Sequence, residues 1–318
     1  MGIGDDLFDI RWRHKFFIPA FASIPILIVY FVDFNVTQII VPLPLRSLFY
    51  PLTQLQHNPP AILDLGPLYY FYMAAIAIFC PNSINILAGI NGLEVGQSIV
   101  IALLLIFNDA LYLLVPSYPH PATDSHLFSI FLLLPFLAVS VPLYLNNKYP
   151  ARTFVGDTYC YFAGMVFAVV GILGHFSKTL LLLFIPQIFN FIYSAPQLFR
   201  IIPCPRHRLP HFNARTGLLE PSTTKWDTAP PTRSQTLILA TLEKMNLLEV
   251  KRDEDGGIVE SSNFTLINLW LVWFGPKRED RLTMELLVMQ IIVGGLGLFV
   301  RHNFALLIFE VDNLGRWQ

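Results

Sequence analysis

Long apolar stretches separated by short polar segments run through most of the chain. A helix needs about 20 mostly apolar residues to cross a bilayer, and fewer when flanking side chains reach the bilayer surface. Seven stretches have approximately this length, and they are residues 16–31, 66–80, 93–115, 127–145, 158–174, 179–197 and 283–300. The pattern therefore predicts an all-α polytopic membrane protein with about seven transmembrane helices.

One polar segment, residues 199–282, interrupts this pattern before the last predicted helix. It contains proline- and glycine-rich turns and two short apolar stretches, residues 236–242 and 265–274. Residues 266–274 are too few to span a bilayer, and we expect them to lie at its interface. We interpret the segment as a small mixed α/β insert. The chain is thus predicted to have a transmembrane core (1–198), an insert (199–282), and a last helix with a tail (283–318).

Composition also indicates a membrane protein. The 318 residues are 54% hydrophobic and 14% charged, whereas soluble chains are typically about 25% charged. The lipid bilayer is therefore the expected surroundings of the apolar faces. The net charge of −1 offers no field that would attract nucleic acid, so no nucleic-acid partner is expected. The three widely spaced cysteines fit neither a disulfide framework nor a zinc motif.

The distribution of lysine and arginine predicts the orientation, because cytosolic loops are enriched in both. If the segment before the first predicted helix faces the cytosol, alternation through seven helices places 17 of the 21 basic residues there. The insert is then cytosolic. The sequon at Asn35 lies on the opposite, lumenal side, and the sequon at Asn263 lies in the cytosol, where it is not modified.

Four polar clusters lie at the predicted cytosolic face, where ionisable groups beside membrane helices suggest function. The first contains Asp5 and Asp6 and ends in a basic run at Lys15. In a helix, Asp5, Asp9 and Arg13 share one face. Carboxylates beside cations suit a metal–phosphate site. An ion-paired flank that anchors the first helix explains the same residues.

The second cluster contains Asn82, Asn85 and Asn91 together with Gly89 and Gly92. The first two asparagines share a helical face. The glycines permit a break in the helix and close approach of the backbone to a ligand. Asparagine carbonyl oxygens are ligands that Mg²⁺ accepts. The alternative is a polar turn between two helices.

The third and fourth clusters supply an acid and a basic loop. Asp157 is placed to cap the N-terminus of the fifth predicted helix, and with a divalent cation the same position would form a phosphate site. Arg206, His207 and Arg208 follow the sixth predicted helix in a loop that contains two prolines. Their planar donors suit phosphate or sugar oxygens, although basic residues also flank membrane helices routinely.

Taken together, the clusters indicate phosphoryl transfer between a soluble diphosphate and a lipid phosphate. In that chemistry, positioning and charge neutralisation supply most of the rate enhancement. A secondary transporter also places polar groups beside broken membrane helices. Its binding site lies near the bilayer midplane, however, whereas these four clusters are predicted to lie at one face.

Four strings carry a resemblance to a known family: GDDLFDIRWRHK, NSINILAGINGLEVGQS, RTFVGDTYCYFAGMVFAVVGILGHFSK and IIPCPRHRLP. They resemble the eukaryotic members of the polyprenyl-phosphate N-acetylhexosamine-1-phosphate transferase superfamily, also called glycosyltransferase family 4. The resemblance covers nearly the whole chain. The CPRHR loop distinguishes the eukaryotic members from their bacterial relatives, which carry histidine-rich loops at this place.

The resemblance implies a multi-pass enzyme of the endoplasmic reticulum membrane whose active site faces the cytosol. Its members transfer GlcNAc-1-phosphate from UDP-GlcNAc to dolichyl phosphate and release UMP. This is the first step of lipid-linked oligosaccharide synthesis for protein N-glycosylation. The resemblance also implies dependence on Mg²⁺, inhibition by tunicamycin, and a homodimer.

Site roles follow from the same resemblance. Asn85 and Asp157 are implied as the Mg²⁺ ligands. Lys15 is implied to contact phosphate, including that of the dolichyl acceptor, and the stretch from Asn82 to Asn85 to line the acceptor site. Asp5 and Asp6 match the acidic pair of the family, which is implied to act as a base or as electrostatic support.

The resemblance also assigns the nucleotide-sugar contacts. Asn91 is implied to hold the uridine, and Phe154 to stack on the uracil. Arg206, His207 and Arg208 are implied to bind the GlcNAc-phosphate part.

The start of the chain departs from the family pattern. Family members carry further membrane helices before the acidic pair, and part of their nucleotide site lies on the loop between the first two. We therefore expect an N-terminally truncated form with an open uridine pocket and little or no activity by itself. A non-catalytic remnant that retains the fold is the alternative to an active transferase.

Overall fold

The protein is described by a computed structural model that covers residues 2–8, 17–44, 46, 62–114, 122–205, 207–226, 231–254 and 256–304. It is mostly helical. The helices before the insert are α1 (Gly2–Phe8), α2 (Ile18–Ala22), α3 (Ile24–Asp33), α4 (Pro67–Ile86), α5 (Leu93–Leu114), α6 (Thr123–Asn147), α7 (Gly156–Leu173), α8 (Ser177–Leu183) and α9 (Ile185–Leu198). Helices α10 (Arg233–Lys244) and α11 (Leu266–Phe274) belong to the insert, and α12 (Glu279–Asn303) follows it.

Several of these helices are long and apolar enough to cross a membrane. In the described residues, α5, α6, α7 and α12 meet the requirement, and the bent pair α8–α9 makes a fifth candidate. These helices confirm the multi-pass character, while the count of seven remains a prediction.

The differences from the predicted spans have local causes. The first predicted span is divided at Ser23 into α2 and α3, each with a proline in its first turn. The sixth is bent by 71° between α8 and α9. Pro186 lies in the first turn of α9, and a proline ring there cannot continue the hydrogen bonding of a preceding helix.

Helix α4 packs closely against α7. A Cβ atom on Gly164 would lie 2.3 Å from the Cα atom of Pro81, so only glycine lets the two backbones approach this far. Small residues at helix interfaces permit such packing in membranes, where the hydrophobic effect does not drive association. The contact fixes how the C-terminal end of α4 lies against the N-terminal end of α7.

A buried amide network holds the C-terminal end of α4. Gln97 of α5 donates from Nε2 to the carbonyl oxygens of Ile84 (3.3 Å) and Leu87 (2.7 Å). Gln187 of α9 donates to Gln97 Oε1 at 2.8 Å and to Gln290 Oε1 of α12 at 2.8 Å. Carbonyl groups at a helix end lack intrahelical partners. Gln97 satisfies two of them, and Gln187 holds Gln97 in place.

The insert contains the strands and helices that its composition predicts. β3 (His211–Asn213) and β4 (Leu218–Glu220) form an antiparallel hairpin, and β5 (Thr223–Lys225), β7 (Ile258–Ser262) and β6 (Val250–Arg252) form an antiparallel sheet in that order. Helix α10 begins with a capping box between Thr232 and Gln235. A buried apolar cluster joins the insert to α9, and it consists of Tyr193, Ile202, Trp226, Leu239, Leu248, Phe264 and Leu269.

The expectation of an all-α membrane part was wrong in one place. β1 (Gln38–Ile40) and β2 (Ile62–Asp64) form a short antiparallel ladder in the connection between α3 and α4. Both strands contain isoleucines, which suit a pleated surface. The ladder joins residues far apart along the chain, and three residues a strand are too few for a recognisable alternation in the sequence.

Candidate active site

The residues around Asn85 form the end of α4 and a tight return into α5. Asn85 is the next-to-last residue of α4, and α5 begins at Leu93. Gly89 and Gly92 in the return adopt φ values of +109° and +85°, which residues with a side chain rarely adopt. The predicted glycine break between the two helices is therefore confirmed.

Asn85 meets Asp157 across the interface of α4 and α7. The Asn85 Nδ2 group donates a hydrogen bond to Asp157 Oδ1, although 72 positions separate the two residues in the chain. Asp157 lies in the first turn of α7. The structure thus brings together the two side chains that the sequence proposes as metal ligands.

Asp6 caps the helix that carries Asp157. Asp6 Oδ1 accepts the backbone N–H of Asp157 at 2.9 Å. Asp6 Oδ2 accepts the N–H of Thr158 at 3.2 Å and its hydroxyl at 2.7 Å. The first turn of α7 therefore engages both oxygens. A carboxylate in this position stabilises the N-terminus of a helix.

Gly156 makes room for this cap. Its φ is +64°, and a Cβ atom there would lie 2.7 Å from Asp6 Oδ2. Any larger residue would meet both a strained backbone and the Asp6 carboxylate.

Asn85 and Asp157 line a cleft of about 420 Å³. The other residues that line it come from the α4–α5 return, the start of α7, the loop after α9 and the insert, and they are Ile86, Ala88, Gly89, Glu94, Phe154, Gly156, Cys160, Leu198, His207, Arg208, Leu209, Thr265 and Ile267. Five of the predicted site residues therefore share one cleft, namely Asn85, Phe154, Asp157, His207 and Arg208.

Arg208 presents an unpaired cationic group to the cleft. Its Nη1 atom is buried and has no hydrogen-bond partner among the described residues. Burial lowers the pKa of its guanidinium below the usual value. A buried donor without a partner is costly, so the site favours an anion that enters the cleft and accepts from this group.

Phe154 and His207 lie at the exposed side of the cleft. Phe154 is 90% exposed, which leaves its ring available for stacking.

Leu209 lies over the α4–α5 return, where a Cβ atom on Gly89 would collide with its Cδ2 atom at 2.0 Å. The basic loop and the α4–α5 return therefore contact each other directly.

Two further predicted residues lie near the cleft without lining it. Asn82 is buried, and its Nδ2 donates to the carbonyl of Ile78 in its own helix at 2.7 Å. The backbone of Asn91 is held by α12, because its N–H donates to Glu279 at 2.7 Å and its carbonyl accepts from Thr283 at 3.0 Å. Their implied roles remain predictions.

Of the remaining predicted residues, the structure describes Asp5 but not Lys15 or Arg206. Asp5 of α1 is buried, with 5% of its surface exposed. Lys15 and Arg206 lie outside the described residues. Their roles as phosphate and sugar-phosphate contacts remain predictions.

Sequence patterns alone missed two features of the cleft. Glu94 accepts the N–H of Gly89 at 2.7 Å and so fixes the return. In the sequence it is a polar residue that follows Asn91 and Gly92, with no sign of this contact. Cys160 lies in the cleft lining one helical turn after Asp157. That spacing was the available signal, because residues three positions apart share a helical face.

The donor set fits a hard divalent cation. Asn85 and Asp157 offer carbonyl and carboxylate oxygens, and Mg²⁺ is usually held by one or two protein carboxylates, water and substrate phosphates. The described residues contain no group of three or more His, Cys, Asp or Glu side chains arranged to hold a metal by themselves. The chemistry of the pair therefore suits a cation shared with a phosphorylated ligand.

Comparison with known proteins identifies the family. The sequence model described as Glycosyl transferase family 4 matches residues 1–175. The chain is similar to the UDP-N-acetylglucosamine–dolichyl-phosphate N-acetylglucosaminephosphotransferase of Saccharomyces cerevisiae, with 56% identity over 99% of this chain and 68% of that protein. Proteins of the same name from Schizosaccharomyces pombe and Dictyostelium discoideum are 52% and 44% identical, over 99% and 95% of this chain and 69% and 65% of those proteins. The chain belongs to glycosyl transferase family 4 and, within it, to the dolichyl-phosphate N-acetylglucosaminephosphotransferases.

Proposed function

We propose that the protein transfers GlcNAc-1-phosphate from UDP-GlcNAc to dolichyl phosphate, giving GlcNAc-diphosphodolichol and UMP. One observation carries the proposal: a hard-oxygen pair, Asn85 and Asp157, shares a cleft with the guanidinium of Arg208, whose Nη1 atom has no hydrogen-bond partner in the described part of the chain. A diphosphate needs both a cation ligand set and an anion-binding donor. The names of the family relatives support this choice of substrates.

The proposed chemistry is a direct displacement. An oxygen of dolichyl phosphate attacks the phosphorus attached to the sugar, the bond from that phosphorus to the UMP oxygen breaks, and UMP leaves with the electron pair. Arg206, His207 and Arg208 would hold the GlcNAc-phosphate part, and Lys15 and Asn82 the acceptor side. No protein side chain needs to be the nucleophile, because positioning and charge neutralisation supply most of the catalysis.

Asn85 and Asp157 would hold the Mg²⁺ ion of the proposed reaction. Bound there, Mg²⁺ would offset the negative charge of the diphosphate. The hydrogen bond between the two side chains supports the assignment, since it keeps both oxygen-bearing groups at one point of the cleft. Asn91 and Phe154 are proposed to hold the nucleoside, and the exposed ring of Phe154 suits stacking on a base.

The finer membrane assignments are part of the proposal. We propose about seven spans, location in the endoplasmic reticulum membrane, a cleft that faces the cytosol, and a homodimer. The distribution of basic residues supports the orientation. The apolar helices support a multi-pass protein.

The test is product analysis with UDP-GlcNAc, dolichyl phosphate and Mg²⁺. With the joined protein described in the next paragraph, we expect release of UMP that tunicamycin inhibits. Release of UDP would mean transfer of the sugar alone and would contradict the proposal. Trapping of a phosphorylated Asp5 or Asp6 would contradict direct displacement.

A comparison of two proteins tests the proposed function separately from the activity of this chain alone. The chain is assayed alone and joined to the part of the Saccharomyces cerevisiae relative that lies outside the matched region. Turnover by the joined protein supports the function whether or not the chain alone is active. If the joined protein binds no UDP-GlcNAc and forms no UMP, the non-catalytic remnant or the transporter is the better description.

A further inference from the structure

Asn268 is an amide buried in an otherwise apolar helix of the insert. It lies in α11, whose sequence is LINLWLVWF, and it is 0% exposed. Its Nδ2 donates to the carbonyl oxygen of Arg208 at 2.8 Å and to Thr265 Oγ1 at 2.8 Å. Its Oδ1 accepts from the backbone N–H of Ser222 at 2.9 Å. Both N–H groups and the oxygen of the amide are therefore engaged.

The carbonyl of Arg208 receives a second donor as well. The Ser222 hydroxyl lies 3.3 Å from it. Two donors from the insert thus fix the backbone at Arg208. The guanidinium has no partner for Nη1 among the described residues. Where that group points therefore depends on the backbone from which the side chain extends.

We propose that Asn268, assisted by Ser222, is a positioning residue that aims Arg208 at the sugar-phosphate half of the nucleotide sugar. The inference rests on the proposed function, in which Arg208 binds that half. Asn268 contacts the backbone of Arg208 and no reacting atom.

Burial of the amide favours this role over simple packing. An apolar side chain would fill this position in α11 without the cost of burying a polar group. Thr265, which binds the same Nδ2, itself lines the cleft. The amide therefore connects two parts of the cleft wall, the basic loop and the start of α11.

The chain offers a matched control in Asn190 of α9. Asn190 is also 0% exposed, and its Oδ1 accepts the N–H of Leu266 at 2.7 Å. Its Nδ2 has no hydrogen-bond partner among the described residues. Asn190→Asp therefore introduces the same buried carboxylate beside α11 without removing a described donor contact. Asn268→Asp removes the donor and turns an oxygen toward the Arg208 carbonyl.

The experiment measures dissociation constants of UDP-GlcNAc and UMP by calorimetry on the joined protein in nanodiscs. UMP lacks the sugar and its phosphate. We expect Asn268→Asp to raise the dissociation constant of UDP-GlcNAc about tenfold and that of UMP less than about twofold. The net contribution of one hydrogen bond is of this order. Asn190→Asp is expected to leave the ratio of the two constants unchanged. Arg208→Gln is expected to weaken the binding of UDP-GlcNAc more than that of UMP, as Asn268→Asp does.

The outcomes separate the two proposals. If Arg208→Gln leaves the affinity for UDP-GlcNAc unchanged, the assigned role of Arg208 fails. If Arg208→Gln weakens binding but Asn268→Asp matches Asn190→Asp, the positioning role fails. Should Asn268→Asp not fold, Asn268→Ala removes the same donor to the Arg208 carbonyl without adding a charge. An unchanged affinity ratio in that folded variant overturns the inference.

Discussion

The carboxylate of Asp6 accepts the backbone N–H of Asp157, so one acid of the N-terminal pair holds the helix that presents the proposed metal ligand. The two residues are 151 positions apart in the chain. This contact favours electrostatic support, rather than proton transfer, for Asp6.

Substitution of Asp6 tests this role. Asn keeps one acceptor oxygen and so part of the cap, whereas Ala removes the cap, which at a helix N-terminus is worth about 0.5–2 kcal/mol. In this and the following predictions turnover is measured on the joined protein. We expect UMP release by Asp6→Asn to exceed that by Asp6→Ala severalfold, with the same pH profile as the unsubstituted protein. Equal loss in both variants, together with a changed pH profile, would identify Asp6 as a base.

Gly156 is expected to tolerate no side chain. Gly156→Ala adds the cost of a left-handed backbone, about 1–2 kcal/mol, and a Cβ atom 2.7 Å from the Asp6 carboxylate. We expect at least tenfold slower UMP release.

Gly217 supplies the control for the backbone cost alone. Its φ is +69°, and nothing lies within 4 Å of a Cβ atom built there. Gly217→Ala is expected to retain near-normal turnover. If the two variants behave alike, the contact between Gly156 and Asp6 is unimportant.

Asn85 and Asp157 are expected to be indispensable for turnover. Asn85→Ala or Asp157→Ala should lower UMP release by on the order of a hundredfold or more, because loss of groups at a metal site has effects of this size. Both variants should still insert into the membrane. The thermal stabilisation that Mg²⁺ with UDP-GlcNAc gives should disappear in both. Either variant at the unsubstituted rate would refute the metal assignment.

Asn35 is expected to carry an N-linked glycan in cells. It is exposed, as the proposed lumenal location requires, although its Oδ1 accepts a hydrogen bond from Tyr70 at 3.1 Å. Treatment with a glycosidase should shift the mobility of the protein, and Asn35→Gln should remove that shift.

Asn263 is expected to carry no glycan. Its proposed cytosolic location is one reason. Its burial is a second, because Asn263 is 1% exposed and hydrogen-bonded to Gln197, Thr224 and Ser222. Mass spectrometry of the peptide that contains it tests this expectation. A glycan on Asn263 would overturn the proposed orientation.

Local patterns predicted much of the fold. Five of the seven apolar stretches became long helices, the Gly89 and Gly92 return broke the helix where expected, and the insert folded into short strands and helices. These features depend on hydropathy and backbone preference over neighbouring residues. The bend between α8 and α9 was missed, because a proline near a helix start is compatible with either a continuous or a broken span.

The sequence by itself determined that the protein is a multi-pass membrane protein and which side chains are suited to bind a cation and phosphate. Hydropathy and donor chemistry belong to each residue or its neighbours, so they are visible without coordinates. Only the tertiary structure decided that Asn85 meets Asp157, that Asp6 caps α7, and that Asn268 fixes the backbone of Arg208. Those contacts join distant parts of the chain. The first of them also depends on how closely α4 and α7 pack where Gly164 lets α7 approach Pro81.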